Sequence, residues 1–308
     1  MQYAPIVLFT YSRADHTRKA VESLLKNEDT KDSDLFIFSD GPKTEEKRVA
    51  VEECRKYIHT ISGFKSITIV EREKNWGLAN SLIAGITEVV NKFGRVIVVE
   101  DDLIVSPYFL RYMNEALEKY KDEERVASIS AFLNPVEGDI PETFFLRYFA
   151  CWGWATWKRA WDLLNTDARD LLRQLRWKKN DFNIGGAGSF YEMLYCQKVG
   201  LIDSWAVRFY ASCFLKDKLH LFPGKTLVVQ TGIDGSGTHC TICDTAYSSI
   251  LVSNSPIYVS PIKIEENMVM YNLYADFFKK KMERGKVRAV YHKFKSFIRR
   301  LFGLDYSK

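Results

Sequence analysis

Over the first hundred residues, short apolar runs alternate with longer amphipathic stretches. The runs are Ile6–Phe9, Leu35–Phe38, Ile67–Val70 and Val96–Val99, each rich in Val, Ile, Leu or Phe and short enough to be a strand buried on both faces. The stretches between them read as helices. Asp15 is the expected N-cap of one whose apolar positions are Ala20, Val21, Leu24 and Leu25; a second runs from Thr44 to Ile58 and a third from Leu78 to Val90. Strand–helix alternation of this kind builds right-handed βαβ units on a mostly parallel sheet, so the expected class is α/β with helices on both faces.

Ligands of such sheets bind beyond the carboxyl ends of the strands. The four runs end in Thr10-Tyr11-Ser12-Arg13, Ser39-Asp40-Gly41-Pro42, Glu71-Arg72-Glu73-Lys74-Asn75 and Glu100-Asp101-Asp102. A parallel sheet crowds these clusters along one edge. None of them carries the glycine spacing of a dinucleotide fold or a P-loop, so neither phosphate cradle is expected.

Three consecutive carboxylates at the end of a buried strand repel one another strongly. A divalent cation relieves that repulsion, and hard oxygen donors select Mg²⁺ or Mn²⁺. A solvated acidic turn opening the next helix accounts for the same residues, because acids favour helix N-termini.

Composition narrows the alternatives. The 308 residues are 46% hydrophobic and 27% charged, which excludes fibrous and disordered chains. No apolar run approaches the roughly 18 residues that cross a bilayer, and Met1-Gln2-Tyr3-Ala4-Pro5 does not resemble a signal peptide. Six scattered cysteines read as reduced thiols. His239-Cys240-Thr241-Ile242-Cys243 hints at zinc, but no second Cys/His pair lies at a usual spacing. Of the net charge of +5, residues 279–300 hold ten Lys and Arg against one Glu, and residues 301–308 are balanced, leaving residues 1–278 at −4. An acidic body argues against nucleic acid as a partner.

Beyond residue 125 the pattern is aromatic and less regular. Four of the seven tryptophans, at 152, 154, 157 and 161, fall at spacings that suit either a packed core or, for Trp152 and Trp154, a sugar-stacking surface. Residues 203–239 read as strand and loop, with turn signals at Pro223-Gly224 and Asp234-Gly235-Ser236-Gly237. A boundary is expected near Ser253–Pro261. It divides residues 1–255 (a nucleotide-binding half, 1–125, and an acceptor half, 126–255) from a helical, basic extension over 256–308.

The segment Glu100-Asp101-Asp102-Leu103-Ile104-Val105-Ser106-Pro107-Tyr108-Phe109-Leu110 resembles the metal-binding segment of GT-A glycosyltransferases, especially the N-acetylglucosaminyltransferase I family. Further pieces follow in the family's order. Thr10-Tyr11-Ser12-Arg13 resembles its first nucleotide loop, and Ser39-Asp40-Gly41 the strand end whose Asp holds uracil or ribose. Asn75-Trp76-Gly77 resembles the third loop, with Asn75 where the eukaryotic enzymes carry a His. Cys151-Trp152-Gly153-Trp154 resembles the turn under the donor sugar, Ile202-Asp203-Ser204-Trp205 the segment bearing the catalytic base, and Gly232-Ile233-Asp234-Gly235-Ser236-Gly237 the loop that closes over the donor. Gly153-Trp154-Ala155-Thr156-Trp157 and Asp234–His239 also resemble bacterial family 2-type glycosyltransferases.

The resemblance implies a GT-A fold and an inverting, metal-dependent transfer from a UDP-sugar, with GlcNAc or a related hexose as donor sugar, to a glycan or lipid-linked glycan. It implies donor contacts at Thr10, Tyr11, Arg13, Asp40, Asn75, Glu100, Asp101, Trp152, Gly153, Trp154, Ile233 and Asp234, and Mn²⁺ or Mg²⁺ held by Asp102. His239, after the Gly-rich run, is either a second metal ligand or a surface residue. Asp203 is the expected base, favoured over Asp162, Asp170, Asp181 and Glu192 because Ile202 and Trp205 flank it and should partly desolvate it. A nucleotidyltransferase of similar fold and a non-catalytic carbohydrate-binding protein are the alternatives.

Val287, Val290, Tyr291, Phe294, Phe297, Ile298, Leu301 and Phe302 recur at helical spacing among Lys and Arg. Such a stripe either lies on an anionic membrane through residues 279–302 or packs on the body. With no anchor in view, the expected setting is a cytoplasmic enzyme held peripherally on the inner face of the plasma membrane.

Overall fold

The computed structural model describes residues 3–232, 247 and 250–284. Strand and helix alternate through β1 (Ile6–Thr10), α1 (Ala14–Leu24), β2 (Asp34–Ser39), α2 (Glu45–Ile58), β3 (Ser66–Glu71), α3 (Leu78–Phe93) and β4 (Arg95–Glu100). There follow β5 (Leu103–Val105), α4 (Phe109–Lys119), β6 (Val126–Ser130), β7 (Thr143–Leu146), β8 (Trp154–Trp157), α5 (Lys158–Trp161), α6 (Ala168–Leu175), α7 (Lys179–Phe182), α8 (Phe190–Lys198), α9 (Trp205–Leu215), β9 (Leu219–Pro223), β10 (Val228–Gln230) and α10 (Met268–Arg284).

Eight strands form one sheet in the order β3-β2-β1-β4-β8-β6-β9-β7. The first four are mutually parallel; β8 runs against both β4 and β6, β9 follows β6, and β7 runs against β9. Only β7 and β8 are therefore reversed, and the sheet is mostly parallel as expected. A second, two-stranded antiparallel sheet joins β5 to β10.

Successive side chains of a strand point to opposite faces, and the core divides accordingly. Ile6, Leu8, Leu35, Ile37, Ile97 and Val99 pack on one face with Val21 and Leu24 of α1, Tyr112 and Met113 of α4, and Met270 and Tyr274 of α10. Val7, Phe9, Phe36, Phe38, Val96 and Val98 pack on the other with Leu82, Ile86 and Val90 of α3 and Phe209 of α9. Helix α3 stops at Gly94, whose φ of 76° is a left-handed cap that returns its N–H to Val90 O.

Several expectations need correction. Arg13, not Asp15, precedes α1; the chain turns immediately after β1, and Asp15 falls in the first turn, where its charge suits the helix dipole. Strand β3 is half-exposed because it pairs only with β2 at the sheet edge. Residues 205–215 are a buried helix, since nearly every side chain there is apolar and packs into the second core face. The tryptophan run divides among the loop before β8 (Trp152), β8 (Trp154 and Trp157) and the single turn α5 (Trp161).

Residues 250–284 pack on the body. Ser106 Oγ donates to Ser253 O, Asn267 N donates to Phe145 O, and Ile257, Val259, Met270 and Tyr274 are buried in the main core. The apolar stripe beyond Arg284 lies outside the described residues. No described helix is long and apolar enough to cross a membrane, and Cys54, Cys196 and Cys213 form no disulfide.

Candidate active site

Strand β1 has β2 on one side and β4 on the other, so the chain leaves it in both directions and opens a crevice at the carboxyl ends of β1 and β4. The register pairs Phe9 with Glu100. Arg13 therefore reaches the carboxylates that follow β4. Its Nη2 donates to Asp102 Oδ2 at 2.9 Å and also to Asp101 Oδ1, and Nε donates to Asp101 Oδ2 at 3.4 Å. Thr231 donates through both N and Oγ1 to the Asp102 carbonyl, at 2.7 and 3.0 Å. That pins the strand leaving β10 over the cluster.

Three acids face one guanidinium. Burial pushes the Glu100 carboxyl up to about 8, with Asp102 and Asp101 adding to the shift. Burial also pushes Asp101 up to about 6 against the pull of Arg13. Burial works against the Arg13 charge, but Asp101 and Asp102 outweigh it and raise its pKa. The Arg13 Nη1 is buried without a hydrogen-bond partner.

These residues fit a divalent cation. The donors are hard oxygens, their charge is under-compensated, and a Cβ on Gly232 would stand 2.4 Å from Asp102 Oδ2, so only glycine leaves that oxygen uncovered. Among the described residues no three His, Cys, Asp or Glu side chains make a complete ligand set. Asp102 would hold the ion together with ligand phosphates. His239, Ile233 and Asp234 lie outside the described residues.

The neighbouring loops place the other expected donor contacts. Thr10 is turned inward, its Oγ1 2.7 Å from Thr17 Oγ1 and 3.0 Å from Cys54 Sγ, so its side chain locks α1 and α2 to β1. Tyr11 OH accepts from Lys43 N at 2.9 Å. Asp40 is buried with its carboxylate fully used: it accepts from the backbone N–H groups of Gly41, Trp76 and Gly77 at 2.9–3.1 Å. Its visible role is to shape the third loop. Asn75 Nδ2 ties the same loop to Gly41 O at 2.8 Å.

Sequence reasoning missed Arg72 and Trp76 as a pair. Arg72 is only 8% exposed, is held on Ser81, and lies 4.0 Å from the centre of the Trp76 ring, which is 49% exposed. The signal was present: a lone Arg among acids at a strand end, four residues before a Trp.

In the second half, Gly153 takes a φ of 59° at the entry to β8. The turn sends Trp152 and Trp154 to opposite faces. Trp154 is wholly buried, stacked 5.3 Å from Trp205 and edge-on to Phe149 at 5.1 Å, so it is core and offers no surface to a sugar. Trp152 remains partly open beside Phe132 and Tyr247.

Asp203 precedes α9, whose N-cap is Ser204. Its side chain is 55% exposed and pairs with Arg208 Nη2 at 2.9 Å. The expected desolvation is absent because Trp205 turns into the core instead of covering the carboxylate. Asp162, Asp170 and Glu192 are occupied in local pairs with Lys158, Arg173 and Lys179.

The family model described as Glycosyl transferase family 2 matches residues 6–190, more than half of the chain. Among solved structures, S. aureus TarS is 15% identical with a TM-score of 0.30, covering 46% of this chain and 23% of its own. The mannosyltransferase PcManGT from Pyrobaculum calidifontis, in complex with GDP-Man and Mn²⁺, is 12% identical with a TM-score of 0.38 and covers 69% of each chain. A UDP-glucose pyrophosphorylase complexed with UDP-glucose is 10% identical with a TM-score of 0.37, covering 71% of this chain and 90% of its own. This chain thus spans about a quarter of the length of TarS. No curated protein matches the sequence.

Proposed function

Because the chain belongs to glycosyl transferase family 2, we propose that it is an inverting, metal-dependent glycosyltransferase that moves a hexose, GlcNAc or a relative, from a UDP-sugar to a glycan or lipid-linked glycan. The observation that carries this reading is the arrangement of Arg13, Asp101 and Asp102 at the fork between β1 and β4, where three acids share one cation.

Asp102, with His239, would hold Mn²⁺ or Mg²⁺, which when bound neutralises charge on the departing diphosphate. Tyr11, Asn75 and Trp76 stand along the edge where uridine would lie, and Asp40 shapes their loop. Glu100 and Asp101 face the ribose and sugar hydroxyls; Trp152 and Gly153 line the sugar, and Ile233 and Asp234, outside the described residues, are further donor contacts of this reading. Asp203 accepts the proton of the acceptor hydroxyl as that oxygen attacks the anomeric carbon from the face opposite the leaving group, which inverts the centre.

The setting that goes with this chemistry is surface polysaccharide or glycoconjugate synthesis on the cytoplasmic side of a membrane, with residues 279–302 against anionic lipid. Only Lys279-Lys280-Lys281 and the rest of the α10 end belong to the described part of that segment. The nucleotidyltransferase alternative is disfavoured by the β1–α1 connection, three residues without a glycine, which leaves no triphosphate loop.

Calorimetric titration of UDP, with GDP as control, with and without Mn²⁺, tests the reading. The expected result is Mn²⁺-dependent UDP binding that Asp102→Ala abolishes. Absence of binding by either nucleotide in Mn²⁺ would reduce the carboxylates to a structural turn and favour a non-catalytic carbohydrate-binding protein.

A further inference from the structure

A cavity of about 190 Å³ opens between the loop before β8 and the start of α9. Its walls are aromatic, with Phe132, Tyr148, Trp152, Phe190, Tyr210 and Tyr247 among them, and among the described residues no charged side chain lines it. The rings brace one another edge-to-face: Phe132 and Trp152 at 4.6 Å, Trp152 and Tyr247 at 5.1 Å, Phe190 and Tyr210 at 5.4 Å. We propose that this cavity binds an uncharged apolar group, an aryl ring or a short isoprenoid segment, carried by the acceptor. The word acceptor rests on the transferase reading above.

Place argues for the acceptor. The β4–β8 ladder ends where Val98 pairs with Trp154, two residues short of Glu100 on one strand and of Trp152 on the other. At the other end Ser204, which adjoins Asp203, lines the cavity. The space is therefore bracketed by the carboxylate cluster's strand end and by the proposed base, where the molecule being glycosylated must lie.

Chemistry argues for an apolar occupant over a sugar ring. A pyranose presents hydroxyls on every side, and each one buried without a partner is costly. Most polar groups here are already engaged, and Asn134 Nδ2 is left buried without a partner, one donor against a sugar's several hydroxyls. Asn134 Oδ1 accepts from Tyr247 OH at 3.3 Å, Ser204 Oγ accepts from Val207 N at 3.3 Å, and Tyr210 OH donates to Phe182 O at 2.9 Å. An apolar cavity of roughly 150 Å³ admits benzene, so the larger volume here accommodates a substituted ring or about one to two isoprene units.

The test uses the full chain and three uncharged probes: phenyl β-D-glucopyranoside, geraniol and methyl β-D-glucopyranoside, titrated by calorimetry or ligand-observed NMR. Burying a phenyl-sized group contributes about 1.5–3 kcal/mol, or roughly tenfold or more in affinity. The phenyl glycoside is therefore expected to bind at least about tenfold more tightly than the methyl one. Geraniol should saturate too if the cavity takes isoprenoid chains, and its failure beside a binding phenyl glycoside would assign the site to aryl groups. Ala206→Phe in α9 and Met193→Trp in α8 fill the cavity from separate helices, and each should cut that binding by about the same factor while the thermal midpoint confirms folding. Equal binding of the two glucosides, no saturable binding of either apolar probe, or binding unchanged in both variants would overturn the proposal. UDP binding in Mn²⁺ is measured on the same preparation. Its absence beside intact apolar binding overturns the transferase reading and with it the acceptor role; its presence without apolar binding overturns the cavity assignment alone.

Discussion

Arg13 and Asp102, 89 residues apart in sequence, are joined by a 2.9 Å ion pair that ties the end of β1 to the end of β4 across the mouth of the crevice. The same guanidinium also holds Asp101, so one side chain balances two adjacent carboxylates. Arg13→Ala should leave Glu100, Asp101 and Asp102 without the guanidinium that holds Asp101 and Asp102. The pair lies between exposed and fully buried, so the expected cost is about 2–3 kcal/mol. Thermal unfolding should show a lowered midpoint that Mn²⁺ restores in the variant more than it raises the wild type. A midpoint unchanged by the substitution would mean the acids are compensated elsewhere.

Asp40 separates a positioning role from a contact role. Its two oxygens accept three backbone N–H groups. Asp40→Asn keeps one acceptor oxygen and turns an NH₂ toward groups that also donate. A lost buried hydrogen bond of this kind costs about 1–3 kcal/mol. The expected outcome is a fall in thermal midpoint together with a fall in UDP affinity, because the loop carrying Asn75 and Trp76 loosens. Reduced affinity at an unchanged midpoint would instead mark Asp40 as a direct ligand contact.

The parallel half of the sheet was legible in the sequence because its strands announce themselves twice, as apolar runs and as polar clusters at their carboxyl ends. Asp101, Asp102 and Arg13 were visible for the same reason. What stayed hidden depends on which way a side chain turns. Thr10 and Trp154 have the right type and place, yet the pleat directs both inward. Helix α9 is so uniformly apolar that no helical period stands out, and it reads as strand and loop. Trp205 shields no carboxylate because its ring is spent against Trp154. The Arg72–Trp76 stack joins a strand end to a loop, a contact that local periodicity does not record.

Gly232 offers a steric test of the carboxylate cluster. A Cβ there would meet Asp102 Oδ2 at 2.4 Å and Arg13 Nη1 at 3.1 Å, while its φ lies outside the left-handed region. Gly232→Ala therefore carries no backbone strain of its own and acts by displacing the Asp102 carboxylate. UDP binding in Mn²⁺ should weaken by about tenfold, the effect of losing roughly 1.4 kcal/mol of binding, with the fold intact by circular dichroism. Affinity equal to wild type would show that Asp102 Oδ2 is free to move without consequence for the ligand.

His220 gives a pH dependence independent of the site. It is fully buried, with Nδ1 2.7 Å from Ser128 Oγ, and burial pushes its pKa from 6.5 down to about 3. The unfolded chain takes up a proton near pH 6.5, whereas the folded chain does not until about pH 3. Below pH 6.5 the unfolded state therefore binds more protons, and stability falls with falling pH by up to about 1.4 kcal/mol per unit from this group until the folded pKa is reached. Above pH 6.5 it contributes no slope. His220→Gln removes the titration while keeping a polar partner for Ser128. Urea unfolding of both proteins at pH 7, 6 and 5 should show the wild type losing stability more steeply than the variant below pH 6.5. Parallel curves over that interval would mean that the buried imidazole takes its proton without unfolding.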